Sequence, residues 1–293
     1  VVTSTREVAL LANPGAGRGR SSRLRPLVAA RLRASGIRVR DLCARDADHA
    51  VQLARDAVAD GVEGIVVIGG DGSVHLGLQA VAGTDVSLGI IPTGTGNDAA
   101  RYFDIPLKDP VAATDLVVRG RTRAVDLARA GDQWFITVLA AGFDAVVSER
   151  AAKMTWPRGQ MRYNLATVAE LRTFRPLSYT LDLDGVTHQL DAMLVAVGNG
   201  PSFGGGLRIT DGALLDDGLL DVVVIKPVSR LELVKTYPKL FSGTHVTHPQ
   251  YERFRARRVT VAAPGVVGYA DGERIGSLPL TVECIPLAVK VWS

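Results

Sequence analysis

Only two cysteines, Cys43 and Cys284, occur in 293 residues. Each lies in an apolar stretch and the pair has no metal-ligand spacing, so neither a disulfide framework nor a thiolate metal site organises the chain. Both thiols are expected to be reduced and packed. Aromatic residues make up only 5% of the chain, which leaves no stacking surface for single-stranded nucleic acid, and no nucleic-acid partner is expected. No apolar run reaches the length that spans a bilayer. The first residues, Val-Val-Thr-Ser-Thr-Arg, lead straight into a strand without a signal-peptide pattern. The expectation is a cytoplasmic protein whose membrane contact is peripheral, at the inner face. His49, His75, His188, His245 and His248 show no ligand spacing, and there is no Gly-x-Ser-x-Gly elbow. Internal repeats and low-complexity linkers are also missing.

What is present is ordinary for a globular protein, 47% hydrophobic and 22% charged. The formal net charge of +4 and a pI near 9.2 favour anionic partners, nucleotides or acidic lipid headgroups, though a solvated Arg-rich surface explains the charge equally well. The length suits two domains or one large one. Over the first 120 or so residues strands alternate with helices: strands at 7–12, 37–42, 64–68 and 86–91, helices near 22–35, 46–60 and 73–81. That alternation predicts a parallel sheet covered by helices. From about residue 121 strands dominate, at 125–128, 134–138, 178–184, 189–197, 219–225, 257–262, 266–270 and 280–285, with helices at 146–153, 164–173 and 230–241. This predicts a mainly antiparallel β-sandwich. The expected domains are 1–127, completed by the last apolar segment 288–293, and 128–287.

Two strand-to-glycine-loop units stand about 25 residues apart: Gly69-Gly70-Asp71-Gly72-Ser73, and Pro92-Thr93-Gly94-Thr95-Gly96-Asn97-Asp98. Adjacent glycines after a buried strand let the backbone approach an anion, and each loop opens a helix whose free amides favour phosphate. The second loop adds donors on Thr93, Thr95 and Asn97. Asp71 and Asp98 suit a cation that neutralises phosphate charge; Asp98 read alone is also a simple N-cap. A third glycine loop, Asn13-Pro14-Gly15-Ala16-Gly17-Arg18-Gly19, could wrap phosphates or form a plain turn. This third loop is neither a Walker A loop nor a Gly-x-Gly-x-x-Gly fingerprint, which argues against P-loop NTPases and simple dinucleotide dehydrogenases.

In the second half, Leu214-Leu215-Asp216-Asp217-Gly218-Leu219-Leu220-Asp221 reads as an oxygen cage for a hard cation, with Asp217 and nearby carbonyls as ligands, or as a turn before a strand. Asp271-Gly272-Glu273 closes a strand; Asp-Gly is a common turn, but a kinase needs a carboxylate to accept the acceptor's proton. The segment 154–163 mixes apolar and basic residues and suits either a lipid interface or packing on its own domain. Arg253, Arg255 and Arg257 share one face of a strand, which by default is solvated.

In this order the motifs resemble the diacylglycerol kinase catalytic-domain family, in its soluble bacterial, actinobacterial-type branch. They are Asn13-Pro14, Gly69 to Ser73, Pro92 to Arg101, Asn199-Gly200, Gly204 to Gly206, Asp217 to Asp221 and Asp271-Gly272-Glu273. The resemblance implies a Rossmann-like α/β domain of the NAD-kinase/diacylglycerol-kinase type plus a β-sandwich domain. It implies an ATP- and Mg2+-dependent kinase that converts diacylglycerol to phosphatidic acid at the membrane surface, with room for a homodimer. Asn13, Gly69, Gly70, Asp71, Gly72, Ser73 and Thr95 would face the nucleotide. Asp71, Asp98 and Asp217 would organise magnesium, with a structural ion on Asp217 and carbonyls near Leu214 and Leu219. Asp271 would be the catalytic base, with Glu273 beside it. Two departures, Ala44 in place of a nucleotide-contacting Thr and Thr210-Asp211-Gly212-Ala213 in place of a proline-bearing stretch, bear on the adenine side. Kinases of other lipid alcohols (sphingosine or ceramide), an NAD-kinase-like enzyme and a catalytically silent nucleotide- or lipid-binding regulator remain as alternatives.

Overall fold

The computed structural model describes residues 6–12, 19–142, 154 and 175–293. The expected helices at 146–153 and 164–173, the Asn13 to Arg18 part of the third glycine loop, and the basic-apolar segment apart from Met154 lie outside them. The chain divides into two compact units. One runs to Leu127 and includes Pro286–Ser293; the other is Ala128–Ile285.

Unit 1 alternates as its sequence pattern demands: β1 (Glu7–Ala12), α1 (Arg20–Ala34), β2 (Arg38–Leu42), α2 (Ala47–Ala59), β3 (Gly64–Gly69), α3 (Asp71–Val81), β4 (Ser87–Pro92), α4 (Asp98–Tyr102) and α5 (Pro110–Arg119). The sheet order β2-β1-β3-β4 is parallel throughout. β3 and β4 are buried along their whole length, the pattern of strands covered on both faces. Side-chain caps start α2 and α5: Asp46 accepts from the His49 amide, and Asp109 from the amides of Val111 and Ala112. α3 lies so close to the sheet that a Cβ on Gly77 would come within 2.8 Å of Val67. The end of the chain joins this sheet, Lys290 and Val291 pairing in parallel with Ser87 and Leu88. Trp292, buried there, fills the space over Gly64 and Gly89. Contrary to expectation Cys43 is exposed, beside the Arg25 guanidinium at the end of β2, whereas Cys284 is buried.

The remaining strands are β5 (Thr122–Ala130), β6 (Gln133–Phe135), β7 (Val138–Gly142), β8 (Leu177–Leu183), β9 (Val186–Ala192), β10 (Leu194–Gly198), β11 (Leu220–Ile225), β12 (Tyr251–Ala256), β13 (Arg258–Ala262), β14 (Val267–Ala270), β15 (Glu273–Ser277) and β16 (Leu280–Trp292). In unit 2 the order β12-β11-β10-β7-β14-β15 forms an antiparallel sheet. The start of β16 pairs with β13, and β13 with β8 and β9, all antiparallel. Leu181, Val259, Val261 and Val282 from the latter strands share one core with Leu139, Val197, Val222 and Val224 from the former. That is the expected β-sandwich.

Three details differ from the sequence reading. The segment 134–138 is two strands, because the chain breaks at Ile136 and Thr137, whose amides turn to a carboxylate. The expected helix 230–241 is divided into α6 (Arg230–Thr236) and α7 (Lys239–Ser242) at Pro238, which cannot extend the first helix. The basic segment 251–258 is likewise two strands; Arg255 and Arg257 are exposed as expected, but Arg253 is half-buried, and Arg253 and Arg255 pair with Asp221 and Asp217.

Candidate active site

In unit 1 the two expected glycine loops meet backbone to backbone. β3 runs into Gly69 and Gly70, and the Gly70 carbonyl accepts from the amides of Ser73 and Val74, starting α3. The Thr93 amide donates to the Gly69 carbonyl at 2.9 Å. A Cβ on Gly94 would lie 2.6 Å from Gly70 Cα and 2.8 Å from Asn97 Oδ1; one on Gly69 would lie 1.9 Å from Ser73 Oγ. Only glycine fits at these positions. Asn97 adopts a left-handed conformation (φ 54°) and closes its loop on itself: its Oδ1 accepts from the Gly94 amide and its Nδ2 donates to the Gly94 carbonyl. Thr93 is buried, its hydroxyl 3.0 Å from that of Ser21 in α1. Ser73 is buried as well. These three side chains therefore hold the loops, while Gly70, Asp71, Gly72, Gly94, Thr95 and Gly96 keep accessible surface. Asn13 lies outside the described residues.

Asp71 and Asp98 come from adjacent loops: Asp71 Oδ1 accepts from the Ala99 amide at 3.4 Å, beside Asp98 at the first position of α4. Asp98 is buried and Asp71 half-buried. Two carboxylates next to open glycine amides fit a magnesium ion that arrives with phosphates, since such an ion takes one or two protein carboxylates and keeps several waters.

Unit 2 holds the other predicted groups. Asp271 and Gly272 form the two-residue turn between β14 and β15, both with positive φ (53° and 86°), the turn that suits Asp-Gly. The Asp271 side chain is buried with the residue only 7% exposed. Its Oδ1 accepts from the Thr137 amide at 3.0 Å and the Thr137 hydroxyl at 2.5 Å; its Oδ2 accepts from the Ile136 amide at 3.3 Å. The Thr137 carbonyl in turn accepts from the amides of Asn199 and Gly200, and Asn199 Nδ2 donates to the Ile136 carbonyl. Ile136, Thr137 and Asn199 thus form a rigid cradle for Asp271. The first two carried no motif and fell inside a strand expected to run unbroken over 134–138, so nothing in the sequence pointed to them. Glu273, at the start of β15, is exposed.

The acidic loop is already compensated. Asp217 Oδ1 caps the Leu219 amide at 3.1 Å, and Oδ2 pairs with Arg255. The buried Asp221 holds Arg253 at 2.6 Å. Burial pushes the Asp221 carboxyl above its ordinary range, with Arg253 opposing the shift. Among the described residues no three His, Cys, Asp or Glu side chains gather as a metal site. The expected ion here takes one carboxylate, Asp217, and the main-chain carbonyls near Leu214 and Leu219; in this structure Arg255 pairs with that carboxylate.

Residues 7–130 match the diacylglycerol kinase catalytic domain family, and residues 137–293 match the YegS C-terminal NAD kinase beta sandwich-like domain. A diacylglycerol kinase of Mycobacterium tuberculosis (strain H37Rv) is 43% identical over 97% of this chain and 94% of its own. The chain belongs to the diacylglycerol kinase family. Another member, from Bacillus subtilis, is 30% identical over 81% of this chain and 78% of its own. A "Probable lipid kinase YegS-like" of Stenotrophomonas maltophilia is 31% identical over 80% of each. In fold, a crystal structure of a diacylglycerol kinase from Bacillus anthracis aligns with a TM-score of 0.77 and 25% identity, over 99% of this chain and 98% of that one. The diacylglycerol kinase family assignment therefore spans both units; the glycine loops fall within the first matched region, and Thr137, Asn199 and Asp271 within the second.

Proposed function

We propose that the chain transfers the γ-phosphoryl group of ATP to the primary hydroxyl of diacylglycerol, giving phosphatidic acid and ADP. The observation that carries this reading is the Asp271 carboxylate, fixed on one side by Ile136 and Thr137 donors. A carboxylate held in place this way can accept the proton of an acceptor hydroxyl. As that proton passes to Asp271, the hydroxyl oxygen bonds to the γ-phosphorus and the bond to the β,γ-bridging oxygen breaks. Phosphoryl transfer rests on positioning and charge stabilisation more than on strong bases.

The amides around Gly70, Asp71 and Gly72, with Gly94, Thr95 and Gly96, cradle the triphosphate. Ser73, Thr93 and Asn97 contribute by holding those loops in shape. When bound with ATP, magnesium neutralises phosphate charge, and Asp71 and Asp98 are the residues that would hold it. Glu273 is a second carboxylate on the acceptor side. A lipid acceptor requires peripheral contact with a bilayer; among the described residues no helix is long and apolar enough to cross one.

The similarity to a YegS-like protein supports a second reading, transfer to a different lipid alcohol. An assay with γ-labelled ATP and magnesium against diacylglycerol, sphingosine, ceramide, NAD and soluble sugars separates them. Label in phosphatidic acid supports the proposal. Label only in another lipid moves the acceptor, and label in none of the lipids contradicts it.

A further inference from the structure

Eight large hydrophobic residues are exposed among the described residues, and three of them, Leu231, Phe241 and Val246, fall within sixteen positions of one another in sequence. Scattered single apolar residues are normal on a protein surface; a cluster calls for a partner. The three belong to α6, α7 and the 3-10 turn Thr244–Thr247 that follows. This arm is built to hold its shape. Ser229 Oγ accepts from the Glu232 amide, a cap at the start of α6. Leu240 packs on Val138, Ala196, Ile209 and Val223, and its carbonyl accepts from the Arg208 amide. His248 bonds Glu232 at 3.1 Å, and buried His245 stacks edge-on against Tyr251.

With its inner side anchored this way, the arm turns Leu231, 65% exposed, Phe241, 44%, and Val246, 37%, outward. Lys235 and Lys239 are exposed among them. In sequence, Arg230, Lys235 and Lys239 outnumber the single carboxylate Glu232, which is engaged by His248. Apolar side chains among basic ones, on short helices, are the chemistry of a headgroup-level interface with anionic lipid.

We propose that the arm 230–247 docks the enzyme on anionic bilayers, Leu231, Phe241 and Val246 entering the headgroup layer and Lys235 and Lys239 pairing with lipid phosphates. The proposal rests on the lipid-kinase reading for its purpose, but not for its test. Co-sedimentation with phosphatidylglycerol/phosphatidylethanolamine vesicles, and with phosphatidylcholine vesicles, measures docking directly. Turnover of monomerically dispersed dioctanoylglycerol measures the chemistry without a surface. Wild type should bind the anionic vesicles and release them at high salt.

Lys235→Gln/Lys239→Gln should bind about 25-fold more weakly at low salt, about fivefold per lysine. Leu231→Ser/Val246→Ser should lose at least about tenfold, at any salt. Both variants should keep wild-type melting temperature and wild-type turnover of the dispersed substrate. Vesicle binding unchanged in both variants overturns the arm as the docking surface and leaves the kinase reading standing. Wild type that ignores anionic vesicles at low salt overturns the docking proposal even if dioctanoylglycerol is phosphorylated. Wild type that binds through the arm but phosphorylates no diacylglycerol supports docking and contradicts the proposed function. A dimeric wild type made monomeric by the serine changes, with vesicle binding unaffected, assigns the face to a second copy and overturns the proposal.

Discussion

His245 is 2% exposed, its Nε2 3.3 Å from the Ile209 carbonyl. Burial lowers its pKa below 6.5, against the pull of the carbonyl and of Asp211. Tyr251 packs on its ring, and burial holds that phenol protonated, pushed up to about 12. A histidine kept neutral by the fold contributes stability above its unfolded pKa and loses it as pH falls through the folded value. Urea unfolding of wild type should therefore show falling stability from near pH 6.5 downward, and His245→Gln should show a shallower fall. Equal slopes in the two proteins would sink this. At the same scale, Asp271 and the glycines were readable because each motif needs a particular residue type at a particular turn. Arg253 and Arg255 were not: their partners Asp221 and Asp217 lie more than thirty positions away, and only the pairing of β11 with β12 brings them together.

Among the elements, the two glycine loops act as one unit, since Gly70 and Gly94 touch through bare backbone. Gly94→Ala forces a Cβ to within 2.6 Å of the Gly70 Cα, and neither main chain can give way cheaply. The expected cost is about 1–3 kcal/mol of stability, together with weakened ATP binding by titration calorimetry. Wild-type values for both would show that the loops do not depend on that contact. β16 makes a second case. The sequence placed a strand at 280–285 and a separate apolar segment after it, whereas one strand, Leu280–Trp292, carries both. Pro286 lies inside that strand and reads as a breaker, so the continuity was hidden. Trp292 is 1% exposed against Gly64 and Gly89. Trp292→Ala should cost about 3–5 kcal/mol, measured by denaturant unfolding; a loss under about 1 kcal/mol would mean the ring is not part of the unit 1 core.

At the level of the whole molecule, periodicity was enough to foresee a parallel α/β unit followed by a β-sandwich, because long buried strands and helical spacing are local signals. The division of the late β strands between the sandwich's sheets is set by distant pairing and was not legible. The acidic loop shows the limit on the chemical side: its composition reads as a cation cage, while Arg255, which pairs with Asp217, comes from a distant strand and was not legible. The central claim is that Asp271 takes the acceptor's proton while the glycine loops bind ATP. Its most direct test is turnover and ATP affinity of Asp271→Asn on one preparation with diacylglycerol as acceptor. The side-chain amide keeps the size of the carboxylate but cannot take a proton, so transfer should fall by about 10²–10⁴-fold with ATP affinity near wild type. Retention of more than roughly a tenth of wild-type turnover, or loss of ATP affinity in parallel with turnover, would contradict the account.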